Sequence, residues 1–241
     1  MNMRRRRGNR GIPFGIGLSL FGFSLNLINL PIMRGRHKIA AITIEERNPK
    51  KLKAYYTQKP VYQFDKKLKY DTHEEQYYVE FKRSLRGAYI NLVDRESIEN
   101  VQQLEGKYVD VFGLRDEPQE RTLVIQTDFF TGGVTPTRNK SGRTYTLSFT
   151  LTHHDMYHQP ESFLETKKAK ITVKELDFAL RKHLISMGVL YNGANADMGT
   201  ITFKMHDGTS KQFELNRRLP DAYANHIVDS ANIKDIFVNI I

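Results

Sequence analysis

The sequence predicts a mainly β chain whose second half is α+β. Between residues 61 and 151, β-branched and aromatic residues cluster in short runs separated by turn-rich pieces, with no helical period between them. Beyond Thr172 a single amphipathic helical pattern appears, followed by a hairpin signal at Asp207-Gly208 and a last apolar run. The 241 residues, 39% hydrophobic and 11% aromatic, supply enough material for one large domain or two small ones.

Taken in order, Asn48-Pro49 opens a short helix through Lys50, Leu52, Ala54 and Tyr55, with Asn as N-cap and Pro at the first helical position. Strands are expected at Val61–Phe64, Tyr77–Phe81, Ala88–Val93, Tyr108–Phe112, Thr122–Thr127 and Thr144–Thr150, with turn-rich pieces such as Arg115-Asp116-Glu117-Pro118 and Lys140-Ser141-Gly142 between them. Closely spaced strands without helices imply a small sandwich or barrel. Thr152 to Pro160 reads as a loop.

Thr172-Val173-Lys174-Glu175 is a capping-box pattern, and Leu176, Leu180, Leu184 and Met187 then fall on one helical face. Asp177 and Arg181 read as an i,i+4 ion pair on the exposed side, and Gly188 ends the helix. Thr200–Met205 and Lys211–Leu215 form a hairpin, and Ile236–Ile241 is the last strand. One long helix on a few strands is an α+β unit. The expected division is an all-β domain over 45–138 and an α+β domain over 139–241.

The formal charge of +10 points at first to nucleic acid or an anionic membrane. Eight of the 37 basic residues, however, lie in residues 1–38, where there is no acid, which leaves 29 basic against 27 acidic residues. The folded part is nearly neutral, so no nucleic-acid partner is expected. Arg4 to Arg7 and Arg10 precede the uncharged stretch Gly11 to Met33, the layout of an export signal. A retained membrane anchor and an extension from a misassigned start are the alternatives, because no small-residue cleavage site follows the apolar run. Residues 1–44 are therefore set apart from the fold, and no stable membrane insertion of the mature domains is expected.

Catalytic motifs are absent: there is no G-x-S-x-G, no GxxxxGK[ST], no HExxH and no cysteine. Neither an enzyme nor a cofactor is expected. His153, His154, Asp155 and His158 match no standard metal spacing and read as a solvated loop. The pair Gly132-Gly133 reads as a special backbone conformation or a close approach between the two halves in preference to an anion cradle. His183 sits beside the apolar stripe of the helix as a boundary residue.

The stretch Lys168 to Tyr191, KAKITVKELDFALRKHLISMGVLY, carries Lys168, Ile171, Leu176, Asp177, Arg181, Leu184, Leu190 and Tyr191 at the spacing of the staphylococcal and streptococcal superantigen toxin signature. The segments Lys107 to Gly113 and Thr131 to Thr135 are similar to that family too. With ELDFALRKHLI, FELN and NIKDIFVNI, the chain resembles most the staphylococcal superantigen-like proteins. Two features depart from the wider family: there is no cysteine for the disulfide-closed loop of many true superantigens, and Thr131 stands where an aromatic is usual.

That resemblance implies an N-terminal OB-fold barrel followed by a C-terminal β-grasp domain. It also implies a secreted immune-evasion protein that binds an immunoglobulin, a complement component or a leukocyte receptor, with sialylated-glycan binding and true mitogenic action as alternatives. Glycan-binding members carry Thr-x-Glu-Leu-Asn on a late strand with an Arg further on. Here Gln212 stands at the Thr, Glu214 is retained, and Tyr223 stands at the Arg, while Arg217 and Arg218 are near in sequence. Gln212, Glu214, Arg217, Arg218 and Tyr223 are the candidate partner-binding residues, and Tyr77, Tyr78, Tyr89 and Arg86 form a second candidate surface.

Overall fold

The structure is a computed structural model that describes residues 47–73, 76–83, 86–92, 101–115, 128–137, 140–193 and 197–241. The expected N-terminal signal and the expected strand Thr122–Thr127 lie outside the described residues. Helix α1 (Pro49–Thr57) begins as its sequence requires: Asn48 Oδ1 accepts from the backbone N–H of Lys50 and Lys51 at 3.0 and 3.3 Å. Its buried stripe is Leu52, Tyr55 and Tyr56.

Strands β1 (Val61–Lys67), β2 (Lys69–Asp71), β3 (Gln76–Arg83), β4 (Arg86–Leu92), β5 (Tyr108–Leu114) and β6 (Asp128–Pro136) form one sheet in the order β1-β5-β6-β4-β3-β2. Among the described residues β1 and β2 are its two ends and do not pair, so hydrogen bonding does not close it into a barrel. Alternation along β3 and β5 sends Tyr77, Val79, Phe81, Val109 and Val111 into one core with Leu68, Val101 and Val134. The outward-facing Phe112 and Leu114 of β5 join the other core instead.

The second sheet takes β7 (Lys140–His153), β8 (Met156–Lys168), β10 (Gly199–Met205), β11 (Ser210–Glu214) and β13 (Ile233–Ile240) in the order β11-β10-β13-β7-β8, with β13 parallel to β7. The short strands β9 (Lys170–Thr172) and β12 (Ile227–Asp229) pair with each other. Helix α2 (Val173–Ser186) packs Leu176, Leu180 and Leu184 into a core with Phe149, Ile201, Phe203 and Val238, and α1 contributes Leu52, Tyr55 and Tyr56 to the same cluster.

Three readings change. The loop over Thr152 to Pro160 is a two-residue hairpin turn, His154 and Asp155, both at positive φ (48° and 62°), with β8 starting at Met156. Within β6 the glycine pair keeps the expected close approach to later chain, since a Cβ on Gly133 would stand 2.8 Å from Thr172 Oγ1 and 2.9 Å from the Ala224 carbonyl oxygen. Met187 is the C-cap of α2, 38% exposed, and not part of the buried stripe. Asp177 and Arg181 are wholly buried, because α2 is covered by the sheet on one side and by α1 and the segment after β11 on the other. A charged i,i+4 pair looks the same in sequence whether its face is wet or covered.

Candidate binding surfaces

The signature residues converge on one buried network. Arg181 Nε donates to Asp177 Oδ1 at 2.8 Å, Nη1 donates to the Tyr191 hydroxyl (2.7 Å) and to the carbonyls of Leu215 (3.0 Å) and Arg217 (2.9 Å), and Nη2 donates to the carbonyl of Glu214 (3.0 Å). The Tyr56 hydroxyl donates to Asp177 Oδ2 at 2.9 Å, and the Arg181 guanidinium carbon lies 4.8 Å from the Tyr56 ring centroid. Burial would discharge this arginine, yet the charge of Asp177 beside it and the surrounding hydroxyls hold its pKa above the ordinary value. Burial also pushes the Tyr191 hydroxyl up to about 12, against the pull of Arg181, so it stays a neutral donor to the Leu215 carbonyl at 2.6 Å.

The other signature positions are structural. Ile171, Leu176, Leu184 and Leu190 are core residues. Thr172 Oγ1 accepts from the Glu175 N–H at 3.3 Å, half of a capping box; the Glu175 carboxylate instead takes Lys168 Nζ on both oxygens at 2.8 Å. Lys168 also stands 5.4 Å from the Tyr62 ring centroid, and burial together with the Glu175 charge raises the Tyr62 pKa.

Through its three backbone carbonyls, Arg181 fixes the chain that carries the candidate partner-binding residues. Strand β11 edges the sheet, and its alternation exposes Gln212 and Glu214 while Phe213 enters the core. Arg217 Nε stands 3.0 Å from Glu214 Oε2, a half-exposed pair contributing about 0–1 kcal/mol to stability. The Arg218 guanidinium lies 4.2 Å from the Tyr55 ring centroid. Tyr223 does not join this group. Its ring packs on Phe213 (5.1 Å) and His226 (5.3 Å), on the Lys211 side of the strand, with Lys211 Nζ 5.8 Å from its centroid.

The second expected surface changes as well. Tyr77 points inward and its hydroxyl donates to Glu105 at 3.1 Å, while Lys69 Nζ lies 5.8 Å from the Tyr78 ring. The side chains of Arg86 and Tyr89 lie outside the described residues. What sequence reading passed over is Tyr62 and Phe64 on β1, 42% and 58% exposed, with rings stacked at 6.4 Å and 6°. Their alternation on a strand next to the half-buried Val61 and Gln63 was the signal available. At the β7–β8 turn, the rings of His153 and His154 lie 4.3 Å apart, and among the described residues no cluster of three or more His, Asp or Glu side chains could hold a metal ion.

Comparison with known proteins decides the family. Residues 146–240 match the model of the staphylococcal/streptococcal toxin β-grasp domain. A superantigen-like protein 13 of Staphylococcus aureus (strain Newman) is 33% identical over 147 residues, 58% of this chain and 58% of that protein, and a staphylococcal superantigen-like 3 of strain NCTC 8325 is 30% identical over 194 residues, 78% and 52% respectively. The matched domain, the relatives and the similar structures together indicate a staphylococcal superantigen-like protein.

It spans between about half and three fifths of the length of these two curated relatives. The crystal structure of a staphylococcal superantigen-like protein 3 superposes with a TM-score of 0.63 at 27% identity, covering 80% of this chain and 99% of that one. A superantigen-like protein from Staphylococcus aureus in complex with sialyl-Lewis X superposes with a TM-score of 0.65 at 25% identity, covering 80% and 98%. Superantigen-like toxins are non-enzymatic binding proteins. Among the described residues no helix is long and apolar enough to cross a membrane.

Proposed function

We propose that this superantigen-like protein is a secreted immune-evasion factor that binds a host immune protein, an immunoglobulin, a complement component or a leukocyte receptor, and blocks it by occlusion. The observation that carries the reading is the stacked pair Tyr62 and Phe64 on the edge strand β1. Rigid aromatic rings on a preformed strand lose little conformational freedom on binding and supply the apolar anchors on which protein interfaces depend. Among the described residues no strand pairs with the outer edge of β1, and that edge offers main-chain hydrogen bonds to a partner.

A second reading, sialylated-glycan binding, is favoured by the Glu214–Arg217 pair. Arg217 would offer the sialate carboxylate a charge-assisted donor in place of the arginine absent at Tyr223. The sialyl-Lewis X complex of a similar protein lends it weight.

The test is a pull-down from human serum and neutrophil lysate with the full chain, with and without sialidase, repeated with Tyr62→Ala/Phe64→Ala and with Arg217→Ala. One sialidase-resistant host protein lost with the double variant supports protein recognition. Many bands lost on sialidase treatment and with Arg217→Ala mean that glycan binding is the function instead.

A further inference from the structure

Asn192-Gly193 is the one place in the sequence where glycine follows asparagine, and both residues are exposed, just past the end of α2. The Asn192 side chain ties the two helices together. Lys53 Nζ on α1 donates to Asn192 Oδ1 at 2.7 Å, and Asn192 Nδ2 donates to the Gly188 carbonyl beyond α2. An ammonium only donates and a carbonyl only accepts, so these partners fix which amide atom is which. Neighbouring Tyr191 stands at φ 57° with its N–H donating to Asp197 Oδ2, while its hydroxyl accepts from Arg181 and donates to the Leu215 carbonyl. Among the described residues the Gly193 N–H donates to no acceptor.

We infer that Asn192 is a site of spontaneous deamidation through a cyclic imide, with Lys53 promoting the step that closes the ring. Hydroxide takes the Gly193 amide proton, and the nitrogen attacks Asn192 Cγ. The N–Cγ bond forms, negative charge collects on Oδ1, and the Cγ–Nδ2 bond then breaks as Nδ2 takes a proton from water and leaves as ammonia. A water molecule opens the imide at Cγ, giving an aspartyl side chain, or at the Asn192 main-chain carbonyl carbon, giving an isoaspartyl linkage. Solvent supplies every co-reactant.

The surroundings favour this asparagine in three ways. Glycine carries no Cβ to hinder the approach of its nitrogen. Its N–H has no hydrogen bond to give up before it ionises. The Lys53 ammonium already sits on the oxygen where charge develops, the placement that stabilises an oxyanion. Asn216 and Asn225, by contrast, are buried and precede the bulkier Arg217 and His226. The product bears on the fold as well. A carboxylate keeps Lys53 as a partner but cannot donate to the Gly188 carbonyl, and it places negative charge at the C-terminal end of α2, against the helix dipole. The isoaspartyl linkage adds a methylene to the main chain right after Tyr191, whose hydroxyl joins Arg181 in holding the segment from Glu214 to Arg217. Ageing therefore loosens that segment, whichever partner it binds.

The experiment incubates the full chain at pH 8.5 and 37 °C and follows each asparagine-containing peptide by mass spectrometry, reading a gain of about 1 Da, with isoaspartyl methyltransferase labelling as a second readout. The native chain is compared with Lys53→Met, Gly193→Ala and Asn192→Gln, each in buffer and in urea. In buffer the Asn192 peptide is expected to convert at least fivefold faster than any other, at least threefold more slowly in Lys53→Met and at least tenfold more slowly in Gly193→Ala. In urea, where Lys53 no longer faces Asn192, Lys53→Met should change the rate less than twofold. The thermal midpoint of the native chain should fall on ageing, and that of Asn192→Gln should not. An Asn192 peptide that stays unmodified in the folded chain while it converts in urea overturns the proposal. Equal folded rates in the native chain and Lys53→Met overturn the role of the lysine, and equal falls of the midpoint in the native chain and Asn192→Gln overturn the link to the Arg181 network.

Discussion

Asp177 and Arg181, one helical turn apart, form an ion pair of 2.8 Å in which neither side chain meets water. Two charges taken out of solvent are tolerated only when the remaining donors and acceptors are also satisfied. Arg181 meets that condition with three backbone carbonyls and a hydroxyl, Asp177 with the Tyr56 hydroxyl. Arg181→Ala is therefore expected to destabilise the protein by about 3–5 kcal/mol, since it leaves the buried Asp177 carboxylate without its countercharge and takes a donor from the Glu214, Leu215 and Arg217 carbonyls. Tyr191→Phe removes one donor from a crowded acceptor set and should lose only about 1 kcal/mol. Urea unfolding of both variants checks the ordering, and equal losses would show that Arg181 is not the centre of the network.

Leu180 and Leu184, three residues on from Asp177 and Arg181 respectively, flank that pair on the same helix and are fully buried in the core with the second sheet. Leu180→Ala or Leu184→Ala should each destabilise by about 2–5 kcal/mol as cavity substitutions. Thermal unfolding unchanged from the native chain would mean that α2 is not a core helix.

What could be read from sequence follows from which forces are local. The N-cap of α1, the leucine stripe of α2 and the Asp207-Gly208 hairpin each depend on residues within a few positions of one another, and each is found where it was expected. Coverage by distant chain is not local. Nothing near Asp177 and Arg181 announces that α1 and the segment after β11 close over them, whereas the alternation of Tyr77, Val79 and Phe81 with Gln76, Tyr78 and Glu80 was a local sign that Tyr77 faces inward. The candidate surface was partly legible for the same reason: strand alternation exposes Gln212 and Glu214 together, but the position of Tyr223 on the far side of Phe213 depends on a turn that no period encodes.

Gly133 shows the cost of such long-range contacts in backbone terms. A Cβ there would press on the Thr172 side chain and on the Ala224 carbonyl at 2.8 to 2.9 Å, and the carbonyl cannot rotate away. Gly133→Ala should destabilise by about 1–3 kcal/mol as overpacking. Gly142→Ala, where no atom stands within 4 Å of the added Cβ, should be neutral or slightly stabilising. Chemical denaturation of the two variants side by side separates them. Equal stabilities would remove the close approach between β6 and the start of α2.

His153 makes stability depend on pH. Burial lowers its pKa from the ordinary 6.5, and the neighbouring His154 and His158 lower it further, with Asp197 opposing. The unfolded chain therefore binds the proton at a higher pH than the folded one, and stability falls as pH drops below 6.5 towards the depressed folded value. Once both states are protonated the loss is complete and the dependence levels off. His153→Gln carries no proton in either state, so its thermal midpoint should decline less than that of the native chain between pH 7.5 and pH 5. Parallel declines would show that the ring is as easily protonated in the folded hairpin as in the open chain.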